Sequence, residues 1–467
     1  MYSITSEHNP TSGALALGAR SFKERYGTPL AYTAGAMYKG IASKEMIVAM
    51  GTAGLMSYLG TGGLRFDEME SAICFIQGHL KHSQPYGMNL LHSPGYPELE
   101  ERTVNLFLER QIDYVEAAAY MDVTPSLVRY RLKGLRQSAF STIVTPHHVL
   151  AKVSRPEVAC AFLRPAPEKI VSKLVQEGHL SLLEAELGKR IPVASEICVE
   201  ADSGGHTDAG VAYVLMPVML ALREKIIKEF RYETRVHIGA AGGIGTPEAA
   251  AAAFAMGADF ITTGSVNQCT VEAGTSDSVK DMLQDMDIQD TAYAPAGDMF
   301  ELGAKIQVFK KGIFFPFRAN KLYDLYVRHN CVEDIDSKTK KHIEEKYFKR
   351  SFDEVWKETR LYYEKVQPAM IDHLDKNPKQ KMAAIFKWYF IHSSRLARDG
   401  SEEEKVDYQI HSGPALGAFN QWVKGTSMEP WRNRHVADIA VRIMNGAAEM
   451  LIKRITALAG VPVELTS

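Results

Sequence analysis

The segment 236–266, VHIGAAGGIGTPEAAAAAFAMGADFITTGSV, decides the fold. Its apolar opening, 236–241, reads as a buried strand that gives way to a glycine-rich turn. Thr246 then stands at an N-cap, Pro247 at the first helical position and Gly257 at the left-handed stop, after which 260–265 reads as a second strand. Strand, turn, helix and strand in roughly thirty residues is the repeating unit of a parallel sheet.

Outward from this unit the same alternation recurs. Eight candidate strands are 31–37, 55–59, 86–91, 114–118, 149–153, 192–200, 236–241 and 260–265, with room between them for crossover helices. Eight units fit a closed barrel better than an open sheet, because closure removes both edges. Beyond residue 295 the texture changes to longer amphipathic patterns, such as SKTKKHIEEKYFKRSFDEVWKETRLYYEKV, where Ser351 and Glu354 have capping-box spacing. The expected class is therefore α/β, a TIM (β/α)8 barrel with an inserted all-helical subdomain. Its expected boundaries are 1–295 for the barrel, 296–405 for the helical subdomain, and 406–467 for a return to the barrel with a closing C-terminal helix.

Composition narrows the function classes. The 467 residues carry 54 Lys+Arg against 56 Asp+Glu, a formal net charge of −2, so there is no basic excess to recommend nucleic acid as a partner. The five cysteines, Cys74, Cys160, Cys198, Cys269 and Cys331, form no CxxC pair, which suits reduced thiols in a cytoplasmic protein. The opening MYSITSEHNPTSGALALG lacks a secretory pattern, and no run of about 18 uncharged apolar residues occurs, so neither secretion nor membrane spanning is expected. The 296–405 segment is locally basic, with 22 Lys+Arg and 18 Asp+Glu. That excess either receives an acidic partner or is an ordinary solvated face. Oligomeric state is not fixed by the sequence, and a homo-oligomer stays open.

In a β/α barrel the chemistry sits where each strand gives way to its following loop. The first such end, TAGAMYKG, offers Gly35, Ala36 and Met37, a small edge against which a flat ring can lie or a neighbouring strand can pack. The last two ends place Gly242, Gly243 and Ile244 beside Gly264 and Ser265, where barrels of this kind hold phosphate on backbone N–H groups. The pattern is not GxGxxG, so a Rossmann site is not expected. Asn89, in PYGMNLL, can pair in two directions with a heterocyclic edge. Lys152, in HVLAKVS, needs an anionic partner, either a cofactor or a neighbour such as Glu116. The sixth end, EICVEADSGGHTDAG, gathers Glu200, Asp202, His206 and Asp208 around Gly204 and Gly205. His206 there serves either as a proton or hydrogen-bond donor to a carbonyl, or as a structural loop histidine.

Other chemistries fail on spacing. His147 and His148 are adjacent, no HExxH or GxSxG occurs, and Cys198 and Cys269 sit in unactivated settings, so neither a metal site nor a nucleophile is expected. Phe309, Phe314, Phe315, Phe317, Tyr323 and Tyr326 of the insert either line an acyl channel or form core.

Taken together, TAGAM, PYGMNL, AKVS, EADSGGHTD, GAAGGI and TTGSVNQCTVEAGTS resemble the nitronate monooxygenase-like flavin barrels. The chain resembles more closely their trans-acting enoyl reductase branch, which serves trans-acyltransferase polyketide synthases and polyunsaturated fatty acid synthases. The resemblance continues through FELGAKIQVFKKG and GPALGAFNQWVKGT to the closing helix. It implies a TIM barrel holding FMN, with NADPH as electron donor and an enoyl thioester on an acyl carrier protein of the synthase assembly line as substrate. By the same resemblance, Gly35, Ala36 and Met37 would back the flavin ring, with Asn89 and Lys152 near its polar edge. Gly204 and Gly205 would edge the site, while Gly242, Gly243, Gly264 and Ser265 would hold the FMN phosphate. His206 would face the substrate as acid or carbonyl binder. Two rivals share these residues: a nitronate monooxygenase-type oxidase of small substrates, and a barrel that binds without turnover.

Overall fold

The structure, a computed structural model, describes residues 9–93 and 95–460. Eight parallel strands close into a barrel: Tyr32–Ala34, Met56–Leu59, Gly87–Leu91, Tyr114–Ala118, His148–Val153, Glu196–Glu200, His237–Ala241 and Phe260–Thr263. Each pairs with its neighbour in the chain, and the eighth closes on the first in the register Tyr32↔Ile261 to Ala34↔Thr263. The eight sequence runs all become barrel strands. Three are shorter than expected by two residues or more: the first ends before Gly35, residues 192–195 lead irregularly into the sixth, and the eighth ends at Thr263, before Gly264 and Ser265.

Within the deciding segment, the Thr246 side chain accepts from the Ala249 N–H, Pro247 opens the helix Pro247–Ala255, and Gly257 has φ of +99°. A β-carbon on Gly239 would collide with the Phe260 ring, so the seventh strand needs glycine to let that ring fill the barrel interior. Phe260 stacks on Phe22 with ring centroids 4.4 Å apart, and Met56, Tyr58, Leu150 and Cys198 complete this buried cluster. Each such apolar side chain contributes about 1.5–3 kcal/mol by leaving water. The helix Val436–Leu458 buries Ile439, Ile443, Met444 and Ala447, and packs on Pro247–Ala255 with Gly446 against Pro247.

The chain forms two compact units. Of the described residues, the first comprises those within 9–202, 209–274 and 421–460, and contains the barrel; the second comprises 203–208 and 275–420. The 296–405 stretch lies within the second unit, and the return to the first falls at Gln421. Helices dominate the second unit, including Phe315–Arg328, Phe352–Val366 and Pro378–Asp399. Ser351 and Glu354 make the expected capping box, the Ser351 N–H donating to Glu354 Oε2 at 2.8 Å. Phe309, Phe315 and Tyr326 are buried, Tyr323 is half-buried, and Phe314 and Phe317 are exposed. Within this unit Arg318 pairs with the buried Asp407, which also accepts from the Tyr389 hydroxyl at 2.6 Å. This unit also carries a three-stranded antiparallel sheet of Thr291–Pro295, Lys305–Phe309 and Gly205–Thr207, an element that the sequence patterns do not announce. No helix among the described residues is long and apolar enough to cross a membrane.

Candidate active site

The strand ends of the barrel unit converge on one rim. Leaving the first strand, the Gly35 N–H donates to Thr263 O at 2.9 Å and the Ala36 N–H to Glu116 Oε2 at 2.8 Å. A β-carbon on Gly35 would stand 3.0 Å from Thr262 Cγ2 and 3.4 Å from Glu116 Oε1, so this edge is small because strands crowd it from below. Met37 continues the edge, its backbone carbonyl occupying the place a side chain on Gly60 would take.

Asn89, Glu116, Lys152 and Glu200 come from the third to sixth strands and form a polar arc. Asn89 is buried and spends one amide hydrogen on Glu116 O at 3.0 Å, so only part of its two-way pairing capacity faces elsewhere. Lys152 Nζ lies 3.0 Å from Glu200 and 3.9 Å from Glu116. Of the two partners left open by the sequence, a protein carboxylate is present, and the nearer one is Glu200. Burial works against the Lys152 charge, but Glu200 and then Glu116 outweigh it and hold the ammonium well above its ordinary range.

Glu116 is the residue that sequence reasoning undervalued. Its side chain is fully buried, and Oε1 has no hydrogen-bond partner. Burial pushes its carboxyl up to about 7, against the pull of Lys152 and of the Ala36 N–H. The available signal was a charged residue in the middle of the apolar strand YVEAA. A carboxyl raised on folding favours the native state below its unfolded value of 4.5, and that contribution is lost as pH rises through about 7. Glu116→Gln keeps an acceptor for Ala36 without the ionisation. Denaturation curves at pH 5 and pH 8 are expected to show a smaller pH-dependent loss for the variant than for the wild type; equal losses would show that Glu116 does not titrate there.

The seventh and eighth strands end side by side, Ala241 pairing with Thr262. Gly242 and Gly243 have φ of +85° and +72°, and a β-carbon on Gly242 would lie 2.5 Å from Ala201 O. By contrast, nothing lies within 4 Å of the β-carbon position at Gly243 or Gly264. Ser265 follows Gly264 and opens the short helix Ser265–Gln268. The result is an open cradle bordered by backbone, of the kind that accepts an anion. Nearby, Cys198 is buried with Sγ 3.4 Å from Thr262 Oγ1, and burial pushes its thiol up to about 12, which keeps it protonated at neutral pH.

Gly204, Gly205 and His206 belong to the second unit. The excursion that carries them is pinched at its base, where the Asp202 N–H donates to Gly210 O at 2.8 Å. Gly204 is small because the Ser412 backbone would lie 2.7 Å from any β-carbon, and Gly205 has φ of +90°. His206 pairs with Ile306 in the antiparallel sheet, and its Nε2 donates to Asp298 Oδ1 at 2.8 Å. Asp298 lies 92 positions away, and no local pattern announces it.

The crystallised enoyl reductase domain of MlnA, from the macrolactin cluster of Bacillus amyloliquefaciens, is 45% identical, covers 95% of this chain and 99% of that domain, and superposes with a TM-score of 0.92. The chain belongs to the trans-acting enoyl reductases of trans-acyltransferase polyketide synthases and polyunsaturated fatty acid synthases. PksE of Bacillus subtilis, a polyketide biosynthesis protein, is 54% identical over 457 residues, 97% of this chain and 59% of PksE. A polyunsaturated fatty acid synthase polypeptide of a Thraustochytrium species is 42% identical over 453 residues, 96% of this chain and 30% of that polypeptide. This trans-acting enoyl reductase chain therefore spans less than two thirds of either relative. Its residues 329–408 match the family model described as the inserted helical domain of [acyl-carrier-protein] S-malonyltransferase.

Proposed function

We propose that this chain reduces the α,β double bond of an enoyl thioester borne on an acyl carrier protein in polyketide or polyunsaturated fatty acid synthesis. FMN would be the resident redox group, with NADPH as its reductant, in a cytoplasmic protein. The observation that carries this reading is the nearly end-to-end likeness to the MlnA enoyl reductase domain. A carrier-borne substrate, rather than a free nitroalkane, is supported by the 329–408 likeness to the helical insert of an enzyme acting on acyl carrier protein.

The residues present fit a flavin mononucleotide. The cradle at Gly243 and Gly264 is empty space that a side chain would fill, and Gly242 and Ser265 border it, which suits a phosphate. Gly35, Ala36 and Met37 offer a flat edge for the ring, and Asn89 and Lys152 a polar border. Bound FMN would supply hydride to the β-carbon of the substrate. Lys152 keeps a positive charge at that border chiefly because Glu200 supports it at 3.0 Å, and Glu116 holds the Ala36 amide in place from beneath. Gly204 and Gly205 shape the backbone that carries His206. Asp298 fixes the His206 ring through Nε2, and the histidine so oriented would hold the proton for the α-carbon or bind the thioester oxygen.

His206→Ala is expected to slow single-turnover reoxidation of reduced flavin by a crotonyl thioester by about 10²-fold or more. Asp298→Asn should slow it less and displace its pH profile. Unchanged reoxidation in His206→Ala would remove the histidine from the chemistry.

A further inference from the structure

The opposite, N-terminal end of the barrel unit holds a second polar centre that the reductase reading does not use. A cavity of about 120 Å³ opens there between the starts of the fifth, sixth and seventh strands. Arg25, Arg131, Arg190, Arg235 and His148 line it, with Glu233 as the one acidic wall residue.

The charges around this cavity do not balance. Arg131 is 4% exposed, yet its hydrogen bonds go to two backbone carbonyls, Pro192 O at 3.2 Å and His147 O. Among the described residues no carboxylate lies within ion-pair distance of it. Burial, followed by repulsion from Arg25, lowers its value to about 10. Arg25 claims the neighbouring carboxylate, Glu196, which also accepts from the Tyr26 hydroxyl at 2.7 Å. At the mouth Arg190 pairs with Glu233, while Arg235 reaches Asp259 only at 3.4 Å because Arg223 holds that carboxylate at 2.6 Å. Arg223 also pairs with Glu224 at 2.8 Å, so five arginines meet four carboxylates, and Arg131 among them is buried with neutral acceptors alone. A buried guanidinium without a counter-charge is costly, and an anion entering the cavity would relieve that cost through forked, charge-assisted hydrogen bonds.

We propose that this cavity is an oxyanion site that takes a phosphate group, held by Arg131 and Arg25 on the floor and by Arg190 and Arg235 at the mouth. The hydroxyls of Thr145, Thr234 and Ser195 on its wall add donors of the kind a tetrahedral anion uses. The volume admits one phosphate and a few waters but not a nucleoside, so a larger ligand would leave the rest of itself outside the mouth. The site is independent of the flavin reading, since its residues lie at the end of the barrel away from the glycine cradle.

Isothermal titration of the full chain with inorganic phosphate and with AMP, against chloride at matched ionic strength, tests this. Saturable binding of inorganic phosphate marks a free-ion site, and binding of AMP alone marks a site for a phosphate carried on a larger molecule. Two partly exposed residues locate it without disturbing the core. Arg235→Ala is expected to weaken binding about fivefold, and Glu233→Gln to strengthen it about threefold, by removing the one acidic wall residue. Absence of saturable binding by either ligand, or binding indifferent to both substitutions, would overturn the proposal. Gly264→Leu should leave it unchanged, which separates this site from the cradle.

Discussion

Glu196→Gln is expected to cost the barrel about 3–5 kcal/mol, the largest loss of stability from any single change considered. Glu196 is fully buried at the start of the sixth strand, where it pairs with Arg25, accepts from Tyr26 and lies 3.3 Å from His237 Nδ1. The amide retains an acceptor for Tyr26 but takes the carboxylate from half-buried Arg25 and the nearby negative charge from buried Arg131. Burial alone would raise the Glu196 carboxyl, but Arg25 and then His237 hold it down at about 2. A depressed carboxyl stabilises the fold above its unfolded value of 4.5, and that contribution disappears as pH falls towards about 2. Urea denaturation should therefore show a wide gap between wild type and variant at pH 7 that narrows below pH 4. A variant within about 1 kcal/mol of wild type at pH 7 would show that solvent or another group already screens the pair.

Gly264→Leu is expected to weaken FMN retention at least about a hundredfold, roughly 2.7 kcal/mol, while leaving the fold intact. Backbone φ at Gly264 is −132°, outside the left-handed region, and no protein atom stands within 4 Å of the new β-carbon. The added side chain must therefore enter the cradle itself. The contrast is Gly242→Leu, where φ of +85° and the Ala201 carbonyl make the same change unfold the turn. Flavin fluorescence after gel filtration reads retention, and a thermal melt reads the fold. Full retention in Gly264→Leu would move the phosphate away from the ends of the last two strands.

Much of this was legible in the sequence because barrel strands carry their own punctuation. Thr246 with Pro247 marks the start of a helix and Gly257 its stop, and buried strands such as His237–Ala241 are almost wholly apolar after their first residue. The glycine cradle was legible for the same reason, since strand ends in this fold are where backbone meets ligand. The rest depended on tertiary contact. For Lys152 the sequence offered a cofactor or a neighbour such as Glu116, and only the pairing of the strands shows Glu200 lying nearer than Glu116. Glu116 itself was visible as a charge in an apolar strand, but its orphaned oxygen and its contact with Ala36 appear only once the third to fifth strands pair. His206 was legible as a reactive residue type in a glycine-rich loop. That loop joins a sheet in the second unit, because three residues, Gly205–Thr207, are too short a strand to signal themselves and their partner lies a hundred positions away.

The most direct measurement is an anaerobic absorption spectrum of the purified protein, taken before and after NADPH and then after a crotonyl thioester. An enoyl reductase holding FMN at this rim gives a flavin band that NADPH bleaches and the thioester restores. No flavin band after reconstitution with FMN, or recovery only on admitting air, would contradict it.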